Sequence, residues 1–193
     1  MQFQKEYIQN GWFIWIPDFL KEEYADQLFS DLLENYNWQG GTIKLFGKVY
    51  EIPRKQLYFA TQGKNYGYSG HRLPISPWTD RLAQLKQLIS ASSGYTFNVC
   101  LANLYRDGND SNGWHADNEK ELGENPIIAS VSMGVTRRFD LKHQKTKERI
   151  SFKLNHGSLL IMGGEMQHYW KHQIPKERKI IDPRINLTFR YIP

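Results

Sequence analysis

His115, Ala116 and Asp117 set an imidazole and a carboxylate two residues apart. On an extended segment side chains alternate with a period of two, so both groups project from one face and can share a metal ion. The tripeptide alone is weak evidence, since histidine and aspartate meet at that spacing by chance in many chains. A third ligand is required, and His143, His156, His168 and His172 lie downstream. His143 opens a lysine-rich stretch, 143–148, that reads as a solvent turn, and His156 precedes a glycine. His168 follows the apolar run 158–162 and the Gly163-Gly164 turn, with Tyr169 and Trp170 beside it to seal a pocket from water. His168 is therefore taken as the third ligand.

The C-terminal stretch 184–190 alternates. Arg184, Asn186, Thr188 and Arg190 share one face, and Ile185, Leu187 and Phe189 the other. The polar face is either solvent-exposed or lines a cavity for an anion, and the planar fork of arginine suits a carboxylate. Asn103 and Tyr105 share a face in the same way, shortly before the His-x-Asp. Two histidines and one carboxylate with open positions describe a non-haem iron(II) oxygenase site, and an arginine-lined pocket beside it suits an organic diacid. Catalytic zinc is the lesser reading, because no His-Glu-x-x-His helix is present.

These residues need a β scaffold. Runs at 97–105, 127–135, 138–141, 150–154, 158–162 and 185–192 are short, β-branched or aromatic, and divided by Gly, Asn, Asp and Pro. Six strands with no helix between them predict an antiparallel jelly roll. Before them, residues 12–16 read as a strand. Ala25, Leu28, Phe29, Leu32 and Leu33 predict a helix over 21–36. A second helix is expected with Ser76 as its N-cap, Pro77 at its first position and Gly94 past its end. The fold class is thus α+β, mainly β, with N-terminal helices packed outside a β core.

The chain has 193 residues, 40% of them hydrophobic, and a formal net charge of +5, which suits a single globular domain. Cys100 stands alone and excludes both an intrachain disulfide and a cysteine-rich zinc site. The first ten residues lack a signal-peptide apolar block, and no run spans a bilayer. A cytoplasmic protein (nuclear in a eukaryote), monomeric and without membrane partners, is expected. Charge is unevenly spread. Residues 1–39 carry two lysines against seven acids, whereas residues 40–78 carry six cations, among them Lys44, Lys48, Arg54, Lys55 and Lys64, against Glu51 alone. Interleaved with Phe46, Tyr50, Tyr58, Tyr66 and Tyr68, those cations suit a polyanion whose bases are also stacked upon.

Taken together, Asn103-Leu-Tyr105, His115-Ala-Asp117, His168 and the run 184–190 resemble the AlkB family of Fe(II)/2-oxoglutarate-dependent nucleic-acid dioxygenases. Phe46-Gly47-Lys48, the run 53–56 and the run 66–70 resemble the nucleotide-recognition lid of its duplex-DNA repair branch. The resemblance implies a double-stranded β-helix, or jelly roll, over 95–193, a lid over 40–75 and an N-terminal strand and helix over 1–39. It implies iron on His115, Asp117 and His168, and 2-oxoglutarate as cosubstrate with O2. The cosubstrate would lie near Asn103, its far carboxylate meeting Arg184 and Tyr105, with Asn186, Thr188 and Arg190 completing the pocket. The implied reaction removes an N-methyl group from 1-methyladenine or 3-methylcytosine in single- or double-stranded DNA, with RNA as a further substrate. Its products are formaldehyde, succinate and carbon dioxide.

Within the lid, Phe46 is expected to wedge into the duplex, Arg54, Lys55 and Lys64 to hold phosphates, and Tyr66 and Tyr68 to stack on an extruded cationic base. Glu119 would accept a hydrogen bond from the base. Asn118 stands where the family often has an aspartate, which weakens the attraction for a cationic base.

Overall fold

The computed structural model describes residues 3–45, 47–61, 67–68 and 71–193. β1 (Glu6–Ile8) and β2 (Gly11–Ile16) form a hairpin, and α1 (Glu22–Glu34) follows. β3 (Thr42–Leu45) and β4 (Lys48–Glu51) make a second hairpin whose last pair is Leu45 with Lys48. Gly47 there has φ of 79°, a conformation glycine adopts without a Cβ clash. β5 (Lys55–Ala60), β6 (Gly67–Tyr68), β7 (His71–Arg72), β8 (Ile75–Ser76) and α2 (Asp80–Ser93) complete the N-terminal half. The C-terminal half holds β9 (Val99–Tyr105), β10 (Asn112–His115), β11 (Ile128–Gly134), β12 (Arg137–His143), β13 (Arg149–Leu154) and β14 (Ser158–Gly163). The short helix α3 (Met166–Tyr169), β15 (Trp170–Ile174) and β16 (Arg184–Arg190) end it.

Two sheets face each other. The larger has eight strands in the order β1-β2-β14-β11-β16-β9-β5-β8, and the smaller has four, β10-β15-β12-β13. All their pairings are antiparallel except β5 with β8. This is the jelly roll expected from the sequence. The large sheet is buried on both sides, so its strands divide their residues between two cores. Ala129, Val131, Leu159, Ile161, Leu187 and Phe189 turn outward to meet Ala25, Leu28 and Leu32 of α1 and Leu82, Leu85 and Ile89 of α2. Ile128, Leu160 and Met162 turn inward to Phe139, Leu141, Trp170 and Ile174 of the small sheet. Each fully buried leucine or isoleucine on the outer face stabilises the sandwich by about 1.5–3 kcal/mol relative to an exposed one.

The helices end where their flanking residues dictate. Glu22 and Glu23 occupy the first turn of α1, where carboxylates favour the positive end of the helix dipole. α2 starts later than its sequence suggests. Ser76 is the last residue of β8, paired parallel with Phe59, so Pro77 remains outside the helix. Thr79 is the N-cap instead, its Oγ1 accepting from the Leu82 N–H at 3.3 Å. Among the described residues no helix is long and apolar enough to cross a membrane.

Candidate metal centre

Strand register assembles a polar row on the inner face of the large sheet. β16 lies between β9 and β11, pairing Arg184 with Tyr105, Asn186 with Asn103 and Ser132, and Thr188 with Leu101 and Ser130. The alternation of 184–190 is a cavity wall, because Arg184, Asn186, Thr188 and Arg190 are 1%, 8%, 7% and 3% exposed. Asn186 Nδ2 donates to Ser130 Oγ at 2.8 Å and to the Val131 carbonyl at 2.9 Å. Asn103 Oδ1 accepts from Arg54 Nε at 2.9 Å and Gln56 Nε2 at 3.0 Å. Asn103, Tyr105, Asn186, Thr188 and Arg190 line one cavity together with His115, Asp117 and His172.

Three ligand-bearing side chains converge at that cavity. His115, Asp117 and His172 each offer one donor atom, and the three atoms lie within 4.8 Å of one another. The antiparallel pairing of β10 with β15 sets His115 directly opposite His172, with ring centroids 4.1 Å apart. Asp117 follows β10 by two residues. Its Oδ1 lies 3.9 Å from His115 Nε2 and 4.0 Å from His172 Nε2. Asp117 Oδ1 is buried and has no hydrogen-bond partner among the described residues. An unsatisfied carboxylate oxygen between two imidazole nitrogens is a feature that a cation resolves, since a buried charge is costly unless paired or bound to a metal.

The third ligand is therefore His172, which corrects the expectation for His168. His168 lies in α3, four residues before His172, and its Nε2 contacts the backbone carbonyl of Glu124. The sequence carried the needed signal. Trp170, His172 and Ile174 are buried while Lys171 is exposed and Gln173 half-buried, a period of two that puts His172 on the inner face. His143 also differs from its reading as a turn residue. It is 1% exposed, its Nδ1 accepts from the Thr146 N–H at 3.0 Å, and its ring stacks on Tyr169.

The electrostatics favour metal binding near neutral pH. Burial lowers the pKa of both histidines, that of His172 to about 3, which leaves the imidazoles neutral with lone pairs available. Burial alone would raise the Asp117 pKa, but Arg190, His172 and His115 outweigh it and hold the carboxyl well below its usual range. His115 Nδ1 lies 2.7 Å from the Gly113 carbonyl, to which it donates, so Nε2 is the acceptor nitrogen. Two nitrogens and one carboxylate oxygen on strand scaffolding match the donor set of a non-haem iron(II) site.

A second orphan lies behind the first. Arg184 is fully buried; its Nη2 donates to Ser132 Oγ at 2.9 Å, while Nε and Nη1 have no hydrogen-bond partner among the described residues. Burial lowers its pKa to about 10, although the neighbouring Tyr105 favours the charged form. A buried guanidinium with two free donors is a receptor for a carboxylate. Arg190 lines the cavity as expected and also pairs with the metal-site carboxylate. Its Nε and Nη2 reach Asp117 Oδ2 at 3.1 and 2.6 Å.

The expected nucleotide contacts are placed unevenly. Arg54 is not a surface phosphate ligand. It is 5% exposed, bonded to Asn103 and within 3.4 Å of the Ser111 carbonyl, so it lines the cavity instead. Gly47 and Lys48 are exposed at the tip of the β3–β4 hairpin, Asn118 is exposed and Glu119 is half-buried. Phe46, Lys64 and Tyr66, and the side chain of Tyr68, lie outside the described residues. Residues that sequence reading missed include Gln167, whose side chain bonds the Asp117 amide, and Asn112, whose Nδ2 lies 3.0 Å from His115 Nε2.

A family model described as the 2OG-Fe(II) oxygenase superfamily matches residues 13–190. The chain belongs to that superfamily. This oxygenase is 37% identical over 179 residues to the DNA oxidative demethylase ALKBH2 of Bos taurus, covering 87% of this chain and 64% of that one. It is 36% identical to ALKBH2 of Mus musculus, covering 87% of this chain and 75% of the relative. With the human alpha-ketoglutarate-dependent dioxygenase alkB homolog 3 it shares 37% identity over 186 residues, or 91% of this chain and 64% of the relative. These likenesses place it in the AlkB family. The solved structure of OsALKBH1 matches with a TM-score of 0.66 at 18% identity, covering 97% of this chain and 99% of that one, which shows the shared fold.

Proposed function

We propose that this oxygenase removes N-alkyl groups from DNA bases of the 1-methyladenine and 3-methylcytosine type, using iron(II), 2-oxoglutarate and O2. The observation that carries the proposal is one cavity in which the His115, Asp117 and His172 donors meet a polar wall of Asn103, Tyr105, Asn186 and Thr188, with the buried Arg184 paired to Tyr105 beside it. The names of the ALKBH2 relatives, DNA oxidative demethylase, support the choice of substrate.

His115, Asp117 and His172 would hold the iron. When bound, iron and 2-oxoglutarate supply the oxidation by O2 that hydroxylates an N-methyl carbon, with succinate and carbon dioxide released. The hydroxymethyl product loses formaldehyde and restores the base. Arg184 would take the far carboxylate of 2-oxoglutarate, pointed by its bond to Ser132, while Asn103 and Tyr105 border the same space. Arg190 keeps Asp117 ionised and oriented. The side chains lining the cavity are mostly buried, where charge contacts are stronger than in bulk water.

The damaged base has to leave the stack to reach this depth, at a cost of a few kcal/mol. Phe46 is suited by its residue type to fill the gap, Gly47 and Lys48 to let the hairpin tip approach the backbone, and Tyr66 and Tyr68 to stack on a cationic base. Asn118 and Glu119, directly after the metal carboxylate, are placed in sequence to border the base. The test is incubation with iron(II), ascorbate, 2-oxoglutarate and oligonucleotides carrying 1-methyladenine or 3-methylcytosine, read by mass spectrometry. Loss of the methyl group with formaldehyde release on DNA is expected; turnover on methylated RNA alone, or on neither polymer, would overturn the DNA assignment.

A further inference from the structure

The two imidazoles of the metal centre are fixed by a β-ladder, since His115 and His172 pair directly across β10 and β15. Asp117 has no such support. It lies past the end of β10, in a segment without strand or helix that runs to the single turn Lys120–Leu122. Something outside the ladder must set its backbone, because a carboxylate on a two-bond stem moves with its Cα.

That support comes from α3, the short helix directly ahead of β15. Gln167 is 2% exposed, and its Oε1 accepts from the Asp117 N–H at 2.9 Å. One residue on, His168 contacts the Glu124 carbonyl, so α3 holds the segment 117–124 at both ends. The Gln144 Nε2 donates to the His168 carbonyl at 2.8 Å and ties α3 to the turn after β12. α3 thus links the backbone of one metal-binding residue to the strand that carries another.

We propose that Gln167 is a positioning residue that fixes the Asp117 carboxylate relative to His172. The inference rests on the reading of His115, Asp117 and His172 as the metal site. A neutral amide suits the place: it accepts the buried N–H without adding a second negative charge beside Asp117, which is already ionised and buried. Residues that orient metal ligands from behind typically change metal affinity by about ten- to a hundredfold when replaced.

The test is titration of the metal-free protein with manganese(II), read by the electron paramagnetic resonance of the free ion. Gln167→Met removes the acceptor at nearly constant length, and manganese binding about ten- to a hundredfold weaker is expected. Gln167→Glu keeps an acceptor at the same reach, and binding weakened by no more than about threefold is expected, well short of the loss in Gln167→Met. Unchanged binding in Gln167→Met, or equal weakening in both variants, overturns the proposal and reduces Gln167 to packing. Should Gln167→Met not fold, the native protein supplies the second measurement. Its Asp117 amide is expected to resist hydrogen exchange before metal is added, and rapid exchange there overturns the proposal. His115→Ala serves as the control and is expected to abolish manganese binding; if it does not, the metal-site reading itself falls, whatever Gln167 does.

Discussion

Arg190 and Asp117 meet through a single oxygen. Both Nε and Nη2 of Arg190 reach Asp117 Oδ2, at 3.1 and 2.6 Å, while Oδ1 faces the two imidazoles. The carboxylate therefore divides its work, one oxygen held by the fold and the other offered to a cation. Since both side chains are almost wholly buried, Arg190→Met strands a charge at a cost of about 3–5 kcal/mol. Urea unfolding in the presence of chelator measures this. Adding Asp117→Asn to Arg190→Met is expected to recover at least about 1 kcal/mol, as coupled neighbours do. Strict additivity would mean that the pair is not coupled.

Exchange of His172 and His168 for alanine separates ligand from neighbour. His172→Ala is expected to lose stoichiometric iron(II) or manganese(II) binding. His168→Ala retains a full equivalent of metal, because its ring contacts the Glu124 carbonyl and not the centre. Equilibrium dialysis with elemental analysis reads both. Loss of metal in the His168 variant alone would contradict the assignment.

Arg184 is the residue proposed to hold the far carboxylate of the cosubstrate. With two donors unpartnered among the described residues and the group fully buried, Arg184→Met removes the receptor for the far carboxylate. The KM for 2-oxoglutarate is expected to rise roughly a hundredfold, in line with the 2–5 kcal/mol typical of truncating a buried charge pair, while kcat at saturating cosubstrate falls less. An unchanged KM would remove Arg184 from the pocket.

Cys100 reports on global unfolding. It is 0% exposed and burial pushes its thiol well up from the ordinary range, so the reactive thiolate is scarce and shielded. Iodoacetamide is expected to leave the native protein unmodified from pH 7 to pH 9 and to label it promptly in guanidinium chloride. Because the folded thiol titrates above the unfolded one, its contribution to stability is complete below the unfolded value near 9 and fades as pH rises beyond it. Labelling under native conditions would show that β9 opens locally.

The sandwich was legible because its signal is local. Alternation in 184–190 states which side chains share a face, and burial on both faces of the large sheet preserves that pattern. The His-x-Asp pair was legible for the same reason. The third ligand was misread because aromatic neighbours and a preceding glycine turn were weighed above the alternation of Trp170, His172 and Ile174. Arg54 was misread from its basic surroundings. A cation between β4 and β5 can face either solvent or the cavity, and only the pairing of Gln56 with Asn103 shows that this end of β5 lies over the site. Gln167 has no sequence signature, since its bond to the Asp117 amide joins residues fifty positions apart. The start of α2 moved because Ser76 is drawn into a parallel pair that composition does not announce.

The most direct test is anomalous diffraction from crystals of the protein grown with manganese(II) and 2-oxoglutarate. The account predicts one manganese peak within bonding distance of His115 Nε2, Asp117 Oδ1 and His172 Nε2, with the far carboxylate of 2-oxoglutarate against Arg184. A peak bound by His168, or no manganese between those three side chains, would contradict it.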